Sequence, residues 1–174
     1  MLHYKIIESP IGKILLISNE SGLCFAEFED DSNPDKKLKA IASKFKEEFC
    51  EGNNEILEAT QKQLDLYFKK ELTIFNIALS PFGTGFQKSV WNSLQEIPFG
   101  KIKTYKIQSE NLQSPDAIRA IASANGKNPI AVIIPCHRVI GSDGTLTGYA
   151  GGLWRKKWLL EHEGSLNAGQ VSLF

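Results

Sequence analysis

The chain has 174 residues, 42% of them hydrophobic, and its 20 Lys and Arg balance 20 Asp and Glu. This allows one domain or two small ones around a packed core, while the absence of an apolar run of about 18 residues argues against a transmembrane helix. The start, Met1-Leu2-His3-Tyr4-Lys5, holds no apolar signal-peptide core, and three widely spaced cysteines (Cys24, Cys50, Cys136) with no CxxC pair argue against a disulfide framework or a zinc finger and predict a reducing cytoplasm.

Zero net charge conceals an asymmetry. Residues 1–85 carry ten Lys and Arg against fourteen Asp and Glu, whereas residues 86–163 carry ten against six. An acidic half joined to a basic half points to a polyanion that meets the second half alone; chance asymmetry is the plainer alternative.

In chain order, His3–Glu8, Lys13–Ser18 and Leu23–Phe28 alternate as strands, separated by Ser9-Pro10-Ile11-Gly12 and Asn19-Glu20-Ser21-Gly22 turns. This is a small antiparallel meander with Cys24 in its core. Asp35–Cys50 places Leu38, Ile41, Ala42, Phe45 and Phe49 at helical spacing, so a helix is expected there, with Cys50 at its end. Asn54 is placed to cap a second helix running to about Glu71, and Thr73–Leu79 alternates as a further strand. No catalytic or metal-binding cluster assembles in this part.

Ser80-Pro81-Phe82-Gly83-Thr84-Gly85 is rich in chain breakers and sets the expected boundary between domains at 80/81, with 165–174 as a tail. Phe86–Gln95 is helical, Ile97-Pro98-Phe99-Gly100 ends it, and Thr104 can cap a short helix, Tyr105–Leu112. Ser114-Pro115-Asp116 makes a tight turn, with Asp116 the expected N-cap of a helix over Ala117–Asn125. Helix, short turn, helix is the helix-turn-helix outline. The second of these helices carries small side chains and one long cation, Arg119. A face of Ala117, Ala120 and Ser123 with Arg119 suits close approach to a sugar-phosphate backbone with little reading of base edges. Buried packing of the alanines, with Arg119 an ordinary surface charge, is the other reading.

The apolar run Ile133-Ile134 ends at Pro135, which lacks an N–H and fixes φ, so Cys136 is presented at a rigid turn beside His137 and Arg138. A thiol reacts as its thiolate, which a paired imidazole or a nearby cation favours. An inert cysteine at the end of a core strand is the alternative. Gly148-Tyr149-Ala150-Gly151-Gly152 can admit a flat ligand to the backbone under Tyr149, or form a plain surface loop. The last helix, Leu153–Glu163, is expected to hold Trp154, Trp158, Leu159 and His162 on or near its buried side. The helix dipole disfavours a carboxylate at its C-terminal end, so Glu163 needs a further partner, such as an imidazole.

Taken together, Phe86-Gln87, Val90-Trp91, Ile97-Pro98-Phe99-Gly100, Thr104-Tyr105, Arg119-Ala120, Asn128-Pro129, Pro135-Cys136-His137-Arg138-Val139, Gly148–Leu153 and Trp158–Gly164 form an ordered series. It resembles the methylated-DNA–protein-cysteine methyltransferases, the O6-alkylguanine-DNA alkyltransferases, closely over residues 80–164 and loosely to the N-terminus. The resemblance implies an α+β chain: a ribonuclease-H-like N-terminal domain and a winged-helix-like C-terminal domain containing the helix-turn-helix. It implies a single-turnover DNA-repair methyltransferase that takes the alkyl group of O6-methylguanine, and of O4-methylthymine, onto Cys136 after base flipping.

By the same resemblance, a water joins Cys136 to His137 and Glu163 holds His137. Tyr105 supplies a phenol, Asn128 braces the active-site turn, Arg119 is the finger in the base stack, and Arg138 joins Arg119, Tyr105, Ala117, Ala120 and Ser123 among the residues at DNA. Val139, Tyr149 and Ala150 form the base pocket. A proline of some relatives is Ala131 here, and the zinc ligands of some relatives are missing apart from Cys24, so neither a metal nor an organic cofactor is expected. The expected partner is double-stranded DNA containing alkylated guanine, met by a monomer, with no membrane. The tail Gln170-Val171-Ser172-Leu173-Phe174 resembles short peptides that dock on the bacterial sliding clamp, through Gln170, Leu173 and Phe174; a frayed terminus is the alternative. Two other functions stay open: a Cys-His thiol hydrolase, which would turn over, and a non-reacting helix-turn-helix regulator, which would prefer one operator.

Overall fold

Two tight turns close the N-terminal meander: the Ser9 hydroxyl donates to the Gly12 carbonyl (2.6 Å), and the Asn19 side chain accepts from the Ser21 and Gly22 amides. In the computed structural model, which describes residues 1–30 and 34–166, β1 (Leu2–Ile7) pairs antiparallel with β2 (Ile14–Asn19), and β2 with β3 (Gly22–Phe28). The central strand β2 is buried along nearly its whole length, which is why it reads as a continuous Ile-Leu-Leu-Ile run. Helix α1 (Pro34–Phe45) packs Leu38 and Ile41 onto Leu2, Leu15, Ile17 and Cys24.

The chain departs from expectation after α1. The helix stops at Phe45, Lys46 takes a left-handed φ of 53°, and Phe49–Glu51 forms β4, parallel to β1. The i, i+4 spacing of Phe45 and Phe49 imitates a helix. Phe49 instead meets the Tyr4 ring edge-on at 5.6 Å, and the backbone completes the open edge of β1. Cys50 therefore lies in an edge strand, not at a helix end. Helix α2 (Glu55–Phe68) starts where Asn54 accepts from the Leu57 amide (2.9 Å) and buries Leu57, Thr60, Leu64 and Tyr67.

The expected strand over Thr73–Leu79 shrinks to one bridge, Leu79 with Leu23. The Gln63 side chain takes the hydrogen bonds a neighbouring strand would have made, donating to the Asn76 carbonyl and accepting from its amide. Gly22 makes the bridge possible, since a Cβ there would stand 2.5 Å from the Ala78 carbonyl oxygen.

The chain divides into two compact units, Met1–Phe82 and Gly83–Phe174. In the second, Thr84 and Gln87 form a capping box that starts α3 (Gly85–Gln95), and Val90, Trp91 and Leu94 are buried. Strand β5 (Lys103–Thr104) leads directly into α4 (Tyr105–Asn111), capped by the Thr104 hydroxyl. Asp116 is not the N-cap of the next helix: it sits inside a 3-10 turn, Pro115–Ala117, and α5 (Ile118–Gly126) grows out of that turn with no side-chain cap bond. Strand β6 (Val139–Ile140) pairs parallel with β5, and α6 (Leu153–His162) closes the unit.

Helix α6 buries Leu159 as expected, leaves Trp158 and His162 half-buried, and otherwise turns a different stripe inward. Trp154 is 53% exposed, while Arg155, Lys156, Leu159 and Leu160 are buried. The inward face runs 156, 159, 160, 163, which is proper helical spacing. It includes a lysine because the Lys156 amine finds the Val139 (2.5 Å) and Thr147 (2.8 Å) carbonyls. Sheet and helix are thus combined in an α+β chain. No helix among the described residues is long and apolar enough to cross a membrane.

Candidate active site

Cys136 sits on one turn of 3-10 helix, Cys136–Arg138, that follows a strained approach. Val132 holds φ at 69°, a conformation a β-branched residue adopts at a cost of about 1–3 kcal/mol and only where neighbours enforce it. Asn128 is one enforcer. Buried two residues beyond the end of α5, it donates to the Ile134 carbonyl (2.8 Å) and accepts from the Ile130 amide (3.0 Å). The turn then closes with the Cys136 amide on the Ile134 carbonyl (2.8 Å) and the Arg138 amide on the Pro135 carbonyl (3.0 Å).

Behind the cysteine lies a buried charge cluster. The Nε2 of His137 is 2.8 Å from Glu163 Oε1, and both side chains are fully buried. The Arg138 guanidinium donates to both Glu163 oxygens (2.9 and 3.0 Å) and to the Ile97 carbonyl (2.6 Å). Burial alone would raise the Glu163 carboxyl; the hydrogen bonds from His137 and Arg138, with Arg138's permanent charge, hold it far below the usual carboxylate range. Gly100 belongs to this corner: its φ is 74°, and a Cβ there would stand 2.9 Å from the Glu163 backbone oxygen.

Burial lowers the His137 pKa, and Glu163 offsets this incompletely, so the ring rests neutral. An ionised Glu163 then fixes the tautomer: Nε2 carries the proton and donates, leaving the Nδ1 lone pair to accept. Nδ1 is buried and has no hydrogen-bond partner among the described residues. The thiol is also neutral at rest. Burial pushes Cys136 up, and the Asn128 amide and the Lys156 charge pull it only part of the way back. Burial equally brings Lys156 down to about 8. Arg138, the flanking cation, spends its charge on Glu163, and the arrangement is a thiol beside a neutral base, with proton transfer deferred until attack.

The phenols converge on the same corner. Pairing of β5 with β6 sets Lys103 opposite Val139 and Thr104 opposite Ile140, which brings Tyr105 beside the exit from the cysteine turn. Its hydroxyl donates to the Thr147 carbonyl (3.0 Å), and Lys156 Nζ lies 5.8 Å from its ring centroid. Burial raises the Tyr105 pKa, and that of Tyr149 more strongly. The Tyr149 hydroxyl is buried without a hydrogen-bond partner among the described residues. Val139 is buried and Ala150 exposed in the same neighbourhood.

Arg119, Ala120 and Ser123 stand on the exposed face of α5, with Ala117 half-buried at its start. Arg138 does not belong with them. It is 6% exposed and bound to Glu163 and Ile97, so its expected place at DNA gives way to a role inside the cluster. Lys156 carries no motif of its own in the sequence, yet it lies seven residues before Glu163, two helical turns back on one face. Gln170, Leu173 and Phe174 lie outside the described residues. Among the described residues, no group of three or more His, Cys, Asp or Glu is placed to hold a metal ion.

Comparison with known proteins covers nearly the whole chain. The family described as 6-O-methylguanine DNA methyltransferase matches twice, its ribonuclease-like domain over residues 2–81 and its DNA binding domain over 85–165. A methylated-DNA–protein-cysteine methyltransferase of Methanosarcina acetivorans is 47% identical over 164 residues, which is 94% of this chain and 99% of that protein. The crystal structure of Mycobacterium tuberculosis O6-methylguanine methyltransferase superposes with a TM-score of 0.79 at 41% identity, covering 95% of this chain and 94% of that one. The same organism's protein in complex with DNA gives 0.80 at 39% identity, covering 94% and 93%. The chain, with its thiol, imidazole and carboxylate gathered on one braced turn, belongs to the 6-O-methylguanine DNA methyltransferase family.

Proposed function

We propose that this protein repairs alkylated duplex DNA by moving the alkyl group from O6 of guanine, and from O4 of thymine, onto Cys136 Sγ, once per molecule and irreversibly. The observation that carries the reading is the fully buried Glu163–His137 pair placed directly behind Cys136. The names and DNA complex of the relatives support the substrate class.

The lesion lies inside a duplex, so its nucleotide must rotate out, at a cost of a few kcal/mol. The small residues Ala117, Ala120 and Ser123 let α5 approach the backbone closely, and Arg119 fills the gap left in the stack. The flipped base enters beside Val139, Tyr149 and Ala150, where a backbone N–H near Ala150 can bond O6. Tyr105 releases the Thr147 carbonyl and donates to the ring nitrogen N3; Lys156 keeps that carbonyl bonded when the phenol leaves.

The thiol proton passes to His137 Nδ1 through a water, and Glu163 stabilises the imidazolium so formed. The sulfur attacks the alkyl carbon, the C–O6 bond electrons go to guanine, and the proton lost by the thiol ends on the restored base. The product is a neutral thioether with no ionisable proton, which water does not hydrolyse, so nothing regenerates the thiol. On this reading the chain acts as a monomer in the cytoplasm, and its own residues suffice without metal or organic cofactor. Cys136→Ala is expected to retain binding to duplex O6-methylguanine and to lose transfer entirely, while peptide mapping of the wild type places one methyl on Cys136. A methyl found on Cys24 or Cys50 instead would overturn the assignment.

A further inference from the structure

Helices α3, α4 and α5 meet across an apolar cluster of Val90, Ile121 and Ala124, flanked by Leu112 and Ala117. Two side-chain amides are nevertheless buried where these helices pack. Gln108 (1% exposed) and Asn125 (3% exposed) bond each other reciprocally: Asn125 Nδ2 donates to Gln108 Oε1 at 2.7 Å, and Gln108 Nε2 donates to Asn125 Oδ1 at 3.2 Å. Gln108 Nε2 also donates to the Ser93 hydroxyl on α3 at 3.1 Å, and that hydroxyl donates to the Val90 carbonyl.

Burying amides is unfavourable unless they are bonded, and a pair of leucines would fill a similar space without that desolvation cost. What the pair adds is direction. Apolar surfaces allow helices to slide by a fraction of a turn, whereas a reciprocal amide pair closes in one register. Gln108 lies one turn beyond Tyr105 on α4, and Asn125 lies less than two turns beyond Arg119 on α5. The pair thus connects the helix that carries the pocket phenol with the helix that carries the exposed arginine.

We propose that Gln108 and Asn125 are positioning residues that set Arg119 at the right span from Tyr105, so that the gap opened in a base stack and the pocket receiving the base are served together. The proposal rests on the alkyl-transfer reading above and adds a device specific to duplex substrate. A single-stranded lesion needs no partner strand held apart, so it should not depend on this span.

The test compares single-turnover methyl transfer from O6-methylguanine in a duplex and in a single strand, for wild type and for Gln108→Leu with Asn125→Leu. Reaction of Cys136 with iodoacetamide reports on the pocket itself. The double variant should react with duplex about tenfold more slowly, equivalent to ~1.4 kcal/mol in the barrier, while the single strand and iodoacetamide change less than twofold. Exchanging the two, Gln108→Asn with Asn125→Gln, should restore most of the duplex rate because a reciprocal amide pair can re-form. If the double leucine variant does not fold, Ser93→Ala, which removes one arm of the network, should shift the duplex rate alone in the same direction by a smaller factor. Equal losses on duplex and single strand, or an unchanged duplex rate, would overturn the proposal. Absence of transfer by wild type would instead refute the reading on which it rests.

Discussion

The two units of the chain bury polar groups very differently. Among the described residues, the unit of residues 1–82 buries the hydroxyls of Ser18 and Thr60 and, of its charged groups, the Glu29 side chain, which pairs at 3.5 Å with the partly exposed Lys37 amine; the unit beginning at Gly83 buries His137, Arg138, Arg155, Lys156 and Glu163, besides Gln108, Ser109, Asn125 and Asn128. In the first unit the interior is built for stability, and each buried hydroxyl has a neutral partner: Ser18 meets Asn54, and Thr60 donates to the Ile56 carbonyl. In the second, charges are kept out of water, where an apolar core of the same size would be easier to form. The difference teaches where the chemistry resides. Glu163 joins His137 and Arg138, the two residues that follow Cys136, and the Lys156 charge acts on the thiol itself.

Breaking the cluster should have the largest effect. Glu163→Gln leaves the buried Arg138 guanidinium without its anion and should lower stability by about 3–5 kcal/mol; it also removes the group that stabilises the imidazolium, so transfer should fall by about 10²–10³-fold. Thermal unfolding and single-turnover rates measure both. The sign of the pH dependence follows from the depressed Glu163 pKa. Its contribution is fully present above the ordinary carboxylate value of about 4.3 and is lost as pH falls through the much lower folded value. Wild type should therefore lose stability in acid more steeply than Glu163→Gln.

The contrasting change is Leu15→Ala, in the apolar interior of the first unit. It should destabilise by about 2–5 kcal/mol yet leave the transfer rate of the folded protein within twofold. A comparable loss of transfer would erase the distinction between the units. Next in size, Arg119→Ala should slow repair of duplex about tenfold with little effect on a single strand. The smallest effect on rate belongs to Asn54→Ala, which removes the cap of α2 and the partner of the buried Ser18 hydroxyl and should cost about 2–3 kcal/mol with no change in transfer.

The resting protonation state sharpens the comparison further. Burial raises the Cys136 thiol pKa, so iodoacetamide should react with Cys136 faster at each step from pH 6 to 9, with no plateau at the acid end. A plateau below pH 7 would mean a standing thiolate.

Local signals carried much of this in the sequence. Asn54 and Thr104 cap helices because their side chains answer the nearest free amides, a matter of three residues. The cysteine turn was legible because Pro135 forbids continuation. What escaped depended on distant partners. Phe49 and Cys50 continue a helical period but join β1, nearly fifty residues away, and Gln63 diverts Asn76 from a ladder. Arg138 looked like a surface cation because the sequence does not reveal that Glu163 and the Ile97 carbonyl close around it. Lys156 was hidden for the same reason: its carbonyl acceptors come from β6 and from the loop that follows it.

The most direct test of the central claim is titration of the protein with duplex O6-methylguanine, followed by intact mass. Transfer should stop at one methyl per chain, every reacted chain should be heavier by one methyl on Cys136, and excess lesion should stay unrepaired. Repair continuing beyond one equivalent, or a reacted protein of unchanged mass, would contradict it.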